Sequence, residues 1–165
     1  MTPSRCIRTD SAAETARAGE LLGSLAARGD VIALSGGLGA GKTALTQGIA
    51  VGLGVRGHVP SPTFNILLVH RAPTPLYHFD LYRLERAGQL VDIDFYETVE
   101  SDGVSVIEWA DRFTGELPDD RLDISLEVGA GDERLLSVDG TGPRTRELAS
   151  AWVSAWSSVD EGGPR

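Results

Sequence analysis

The chain has 165 residues, 41% hydrophobic and 24% charged, with a mean hydropathy of −0.07, which bounds it to an ordinary globular core and excludes the disordered and fibrous classes. A formal net charge of −9 opposes independent binding to nucleic-acid phosphates, so RNA is expected to be reached only through a partner. Cys6 is the only cysteine, which excludes an internal disulfide, a thiolate zinc cage and a CxxC redox pair.

In chain order, MTPSRCIRTDS lacks the apolar core of a signal peptide, and no apolar run approaches the ~18 residues of a membrane span, so a cytoplasmic protein without a membrane partner is expected. Ser11 and Glu14 have capping-box spacing and open an amphipathic helix expected over residues 11–29. VIALS, residues 31–35, has the composition of a short buried strand, and TALTQGIAVGL places Leu45, Ile49 and Leu53 on one helical face before Gly54. After a loop with two prolines, residues 64–70 and 76–82 read as partner strands, and residues 85–89 as helical. Residues 104–109 (VSVIEW) are a further buried strand. LDISLEV (122–128) and RLLSVDG (134–140), joined by GAGDE, read as an antiparallel hairpin. A last helix is expected over residues 145–158, anchored by Trp152 and Trp156 at i and i+4, with a frayed tail after about residue 158. The pattern predicts one α/β domain over residues 1–165, of three layers, with a mixed, mainly parallel sheet and a late antiparallel hairpin.

Between the first strand and its helix lies GGLGAGKT: Gly36, Gly37, Leu38, Gly39, Ala40, Gly41, Lys42 and Thr43, with Ala44 following. This matches the phosphate-binding loop of Gly, four residues and Gly-Lys-Thr. Glycines let backbone N–H groups converge on phosphate oxygens at a helix N-terminus, Lys42 supplies the point charge, and Thr43 a hydroxyl for magnesium. The fourteen arginines and one lysine sharpen the reading, because the one lysine falls where a rigid guanidinium fork is a poor substitute. With no second lysine the chain has no Asn-Lys-x-Asp guanine motif, so ATP is favoured over GTP.

Magnesium beside a phosphate loop is usually held by a carboxylate at the end of a neighbouring buried strand. Asp80, ending YHFD, and Glu108, ending VSVIE, are the two candidates, each also readable as a solvated strand-end acid. Thr63 in SPTF lies where a γ-phosphate sensor is expected, although Ser61-Pro62 equally reads as a turn. Asp92, Asp94, Glu97, Glu100 and Asp102 read as a solvated face. His78 reads as a packed core residue, and Trp109 as either a nucleotide contact or core.

GGLGAGKT, SPTF, YHFDLYRL and VIEW, in this order and at these separations, resemble the TsaE (YjeE) family of small bacterial ATPases over about residues 10–140. The resemblance implies a P-loop NTPase-like fold and a part in installing threonylcarbamoyl on the adenosine beside the anticodon in tRNAs reading codons that begin with A. It implies TsaD and TsaB as partners, tRNA only through that complex, and ATP with Mg2+. ATP hydrolysis would reset the complex between turnovers, and the transfer itself would lie elsewhere. Carried over residue by residue, it gives Gly36 to Thr43 the phosphates, Thr43 and Glu108 the magnesium, Asp80 the catalytic or Walker B-like role, and Thr63 a switch-like loop. Residues near Thr9 to Thr15 and Arg134 would form the adenine pocket. The sequence departs from the family pattern at Asn65, through VDIDFYE and at Ala110. Two other readings stay open: a small-molecule kinase, since GGLGAGK also fits the looser Gly-x-x-Gly-x-Gly-Lys form, and an assembly factor that binds ATP without hydrolysing it.

Overall fold

Val31–Ser35 (β2) is apolar on both sides because both faces of the sheet are covered where it runs: Ile32 and Leu34 enter one core, Val31 and Ala33 the other. The computed structural model describes residues 5–60 and 65–162. Around β2 the chain forms β1 (Arg5–Thr9), α1 (Ala12–Leu25), α2 (Lys42–Gly52), β3 (Leu67–His70), β4 (Leu76–Asp80), α3 (Gln89–Asp92) and α4 (Phe95–Val99). Then follow β5 (Val104–Glu108), a 3-10 segment (Ala110–Glu116), β6 (Leu122–Val128), β7 (Arg134–Gly140) and α5 (Pro143–Gly162).

The strands make one sheet in the order β1-β7-β6-β2-β5-β4-β3. Its four central strands are parallel, β2 pairing with both β5 and β6, and β4 with β5. The outer pairings β1–β7, β6–β7 and β3–β4 are antiparallel. Helices α1, α2 and α5 cover one face, and α3, α4 and the 3-10 segment the other, giving the expected three layers with the expected late hairpin. No helix among the described residues is long and apolar enough to cross a membrane.

The local signals explain most boundaries. Ser11 Oγ accepts from the Glu14 N–H at 3.1 Å, while Glu14 reaches back to the Asp10 N–H, one residue before the expected partner. Helix α1 ends at Leu25 rather than at residue 29, because the turn through Gly29 is set by Asp30 accepting from the Ala27 N–H. Residues 85–88 are not helical, with a turn at 87–88, and the helical stretch starts only at Gln89, whose side chain accepts from the Glu85 and Arg86 N–H groups. The expected strands narrow to Leu67–His70, Leu76–Asp80 and Val104–Glu108. Phe64 lies outside the described residues, Ile66 has φ 58°, and Tyr82 turns back so that its N–H meets Asp80 Oδ1.

Helix α5 runs from Pro143 through Gly162, past the end expected at residue 158. Asp120 caps its start, accepting from the Thr145 hydroxyl at 2.6 Å, the Thr145 N–H and the Arg144 N–H. Trp152 and Trp156 do anchor it, donating from their indole N–H groups to the carbonyls of Ala18 and Arg8.

Helices α1 and α2 approach backbone to backbone. A Cβ at Gly48 would run into the Ala16 carbonyl, so only glycine permits this separation. The contact locks the helix that begins at the glycine loop against the helix that begins at Ser11.

Candidate functional site

The loop following β2 is built by its glycines. Gly41 has φ 103° and Gly36 φ 146°, and a Cβ at Gly36 would come within 2.7 Å of the Leu126 carbonyl oxygen. Helix α2 begins at Lys42, so the loop ends on the positive pole of an 11-residue helix. Leu38, Gly39, Ala40, Gly41, Lys42, Thr43 and Ala44 line one side of a cavity of about 400 Å3. Gly36 and Gly37 stand behind it, their carbonyls accepting from Lys42 Nζ at 2.6 and 2.9 Å.

Parallel register brings the acids to the loop. Asp80 is paired with Glu108 at the ends of β4 and β5, and β5 pairs with β2. Both carboxylates line the cavity with Lys42, and all three are buried: Asp80 is 9% exposed, Glu108 3% and Lys42 6%. Burial pushes the Lys42 ammonium below its ordinary pKa against the opposing pull of Glu108, Asp80 and Asp111. Burial also raises the Asp80 carboxyl; Glu108 adds to this, while the Tyr82 N–H works against it. Among the described residues Asp80 forms no ion pair, and its carboxylate accepts one hydrogen bond, from that N–H. A buried carboxylate left in this condition is suited to a cation.

The opposite wall brings together Ala12 and Thr15 of α1 with Asp132 of the β6–β7 turn and Arg134 at the start of β7. Thr15 is fixed by Thr9 at 2.7 Å, and Arg134 donates to the Gly39 carbonyl at 3.3 Å. The region 9–15 and Arg134 therefore do meet at the glycine loop. Thr63 and the rest of SPTF lie outside the described residues.

Trp109, at φ 60°, leans on Tyr82 with ring centroids 4.9 Å apart and carries Lys42 Nζ 4.2 Å over its own ring. It lines the cavity and also packs against the core under α3 and α4; its neighbour Tyr82 had no separate sequence signal. His78 is fully buried, as expected, but it does more than pack: its Nε2 lies 2.6 Å from Glu108 Oε2. Only the register of two strands 30 residues apart reveals that contact. The acidic residues Asp92, Asp94, Glu97, Glu100 and Asp102 are all exposed.

The donor set fits magnesium. No group of three or more His, Cys, Asp and Glu side chains suited to a metal occurs among the described residues, and magnesium needs none, being held typically by one or two protein oxygens plus phosphates. Thr43 and Glu108, with Asp80 beside them, offer oxygen ligands of that kind beside the loop.

A strand, a glycine loop and a helix on a mixed, centrally parallel sheet covered on both faces, with acids at the ends of the adjoining strands, define a three-layer α/β protein. Similarity narrows the class. Residues 9–136 match the family model "Threonylcarbamoyl adenosine biosynthesis protein TsaE", and the chain belongs to the TsaE family. It is 43% identical to the tRNA threonylcarbamoyladenosine biosynthesis protein TsaE of Treponema pallidum over 81% of this chain and 98% of that one. It is 42% identical to the protein of the same description from Streptomyces coelicolor, over 86% and 95% of the two chains. A crystal structure of Bacillus subtilis YdiB superimposes with a TM-score of 0.79 at 32% identity, covering 94% of this chain and 97% of that one.

Proposed function

We propose that this protein is a Mg2+-dependent ATPase that serves tRNA threonylcarbamoyladenosine formation, acting with TsaD and TsaB and resetting their complex between turnovers. Membership of the TsaE family supports the pathway. One observation carries the chemistry: Lys42, at the foot of the glycine loop, shares a cavity with two buried strand-end carboxylates, Asp80 and Glu108.

Each group has a role in this reading. The N–H groups of residues 37–43 bind phosphate oxygens, and Lys42 turns from the Gly36 and Gly37 carbonyls to the β and γ phosphates. Thr43 and Glu108 would hold Mg2+, which when bound neutralises charge on the phosphates. Asp80, its carboxyl raised by burial, takes a proton from the attacking water as the water oxygen bonds to the γ-phosphorus and ADP departs. Thr63 enters as a γ-phosphate contact on sequence grounds. Ala12, Thr15 and Arg134 border the adenosine end, and Trp109 with Tyr82 shields Lys42 from water. With net charge −9, the protein leaves tRNA contacts to its partners.

The test is phosphate release from Mg-ATP by the protein alone and with the TsaD–TsaB pair, measured alongside modified adenosine over several turnovers. Stimulated release together with dependence of sustained modification on this protein supports the proposal. ATP bound but never hydrolysed contradicts it and favours an assembly factor.

A further inference from the structure

The buried side chains Glu108 and Lys42 line one cavity, and opposite charges so placed would be expected to close on each other. They do not pair within 4.0 Å. The one ion-pair contact of Glu108 among the described residues is with His78, Nε2 to Oε2 at 2.6 Å, with side-chain exposures of 1% and 4%. The backbone explains why. His78 stands beside Val106 and Asp80 beside Glu108 in the β4–β5 register, so His78 sits on the face that carries Asp80, two residues back from it. Glu108 reaches back along the strands to meet the ring.

The proton on the ring can be placed. Nδ1 of His78 is buried and has no hydrogen-bond partner among the described residues. A carboxylate oxygen accepts, so Nε2 carries a proton and donates it to Glu108 Oε2. Packing alone does not account for this residue, because an apolar side chain of similar volume would fill the space without an orphaned nitrogen. The bond engages Oε2 and leaves Oε1 without a side-chain partner among the described residues.

We infer that His78 is a positioning residue: its Nε2–H holds Glu108 off Lys42 and presents the free carboxylate oxygen to the divalent cation of the bound nucleotide. The inference rests on the reading of Glu108 as a magnesium ligand. Partners behind a metal ligand typically contribute about 10- to 100-fold to metal affinity.

The experiment measures Mn2+ binding by electron paramagnetic resonance on protein saturated with the non-hydrolysable analogue AMP-PNP, and AMP-PNP affinity by calorimetry in EDTA. His78→Phe is expected to weaken Mn2+ by about 10- to 100-fold, with AMP-PNP affinity in EDTA unchanged. His78→Gln, which keeps a donor near the Nε2 position, is expected to recover most of the loss. Wild-type Mn2+ affinity in His78→Phe, or an equal loss of AMP-PNP affinity in EDTA, would overturn the inference. Glu108→Gln separates the two readings. If it leaves Mn2+ binding intact, Glu108 is no ligand and both fall; if it loses Mn2+ while His78→Phe does not, only the role of His78 falls. Nitrogen-15 spectra of the wild-type protein give a check that needs no variant: a proton on Nε2 is expected, and a proton on Nδ1 alone overturns the inference.

Discussion

The carboxyl ends of β2, β4 and β5 and the flank formed by β1, β7, β6 and α5 bury polar groups in opposite ways. On the flank they are paired. Trp152 and Trp156 donate to carbonyls, Thr9 meets Thr15, and Arg144 forks onto Asp30 at 2.8 and 3.1 Å. At the strand ends, Asp80 has no ion pair among the described residues, its carboxyl is raised by burial, and the Lys42 ammonium is lowered for the same reason. The difference teaches where each region spends its interactions: the flank secures the fold, while the strand ends hold charge in a condition that a ligand would improve.

Trp152→Ala should break the frame and spare the site. Removing a fully buried indole typically costs about 3–5 kcal/mol of stability, read by urea denaturation, while the folded fraction keeps its Mg-ATP affinity in calorimetry. Glu108→Gln should do the reverse. It keeps an acceptor for His78 but removes one of two neighbouring buried carboxylates, so phosphate release should fall about 100-fold or more, roughly 2.7 kcal/mol in barrier. Its melting temperature should hold or rise, and a large fall would mean that Glu108 belongs to the frame.

Gly48→Ala should blur the comparison, because Gly48 lies where the two regions join. Pushing α2 away from Ala16 should cost about 1–3 kcal/mol and also weaken nucleotide binding, since Thr15 and the glycine loop face one cavity from the two helices. Normal binding with lowered stability would show that the helices tolerate the shift.

The smallest effect belongs to Asp120→Ala, at about 1 kcal/mol for a lost helix cap. The Thr145 hydroxyl first, then the Thr145 and Arg144 N–H groups, hold the Asp120 carboxyl below its ordinary range. A depressed folded-state pKa gives stability that is complete above the ordinary carboxylate range and is lost as pH falls through the folded value. The variant should therefore match wild type at acid pH and trail it near neutrality, as urea midpoints across that range would record.

The sequence makes the glycine loop legible because its chemistry is local: Gly36 to Thr43 needs no distant partner to be recognised, and the run VIALS signals its strand. Asp80 and Glu108 were legible as strand ends, though only the β4–β5 register places them side by side. The His78 contact was not legible, because it depends on that same register across 30 residues. Strand β1 escaped notice for a related reason: five residues with buried Ile7 and Thr9 alternate too briefly to stand out, and pairing with β7 gives them their place. The helical run expected at residues 85–89 lost to local competition from the Gln89 side chain, which takes the Glu85 and Arg86 N–H groups into a turn.

Calorimetric titration of Mg-ATP into wild type and Lys42→Ala tests the central claim most directly, since Lys42 is the one cation that the glycine loop carries. The account predicts saturable binding by wild type and a loss of at least about tenfold, or roughly 1.4 kcal/mol, in the variant. Equal affinity in the two proteins, with both folded, would contradict it and move the phosphates away from the loop.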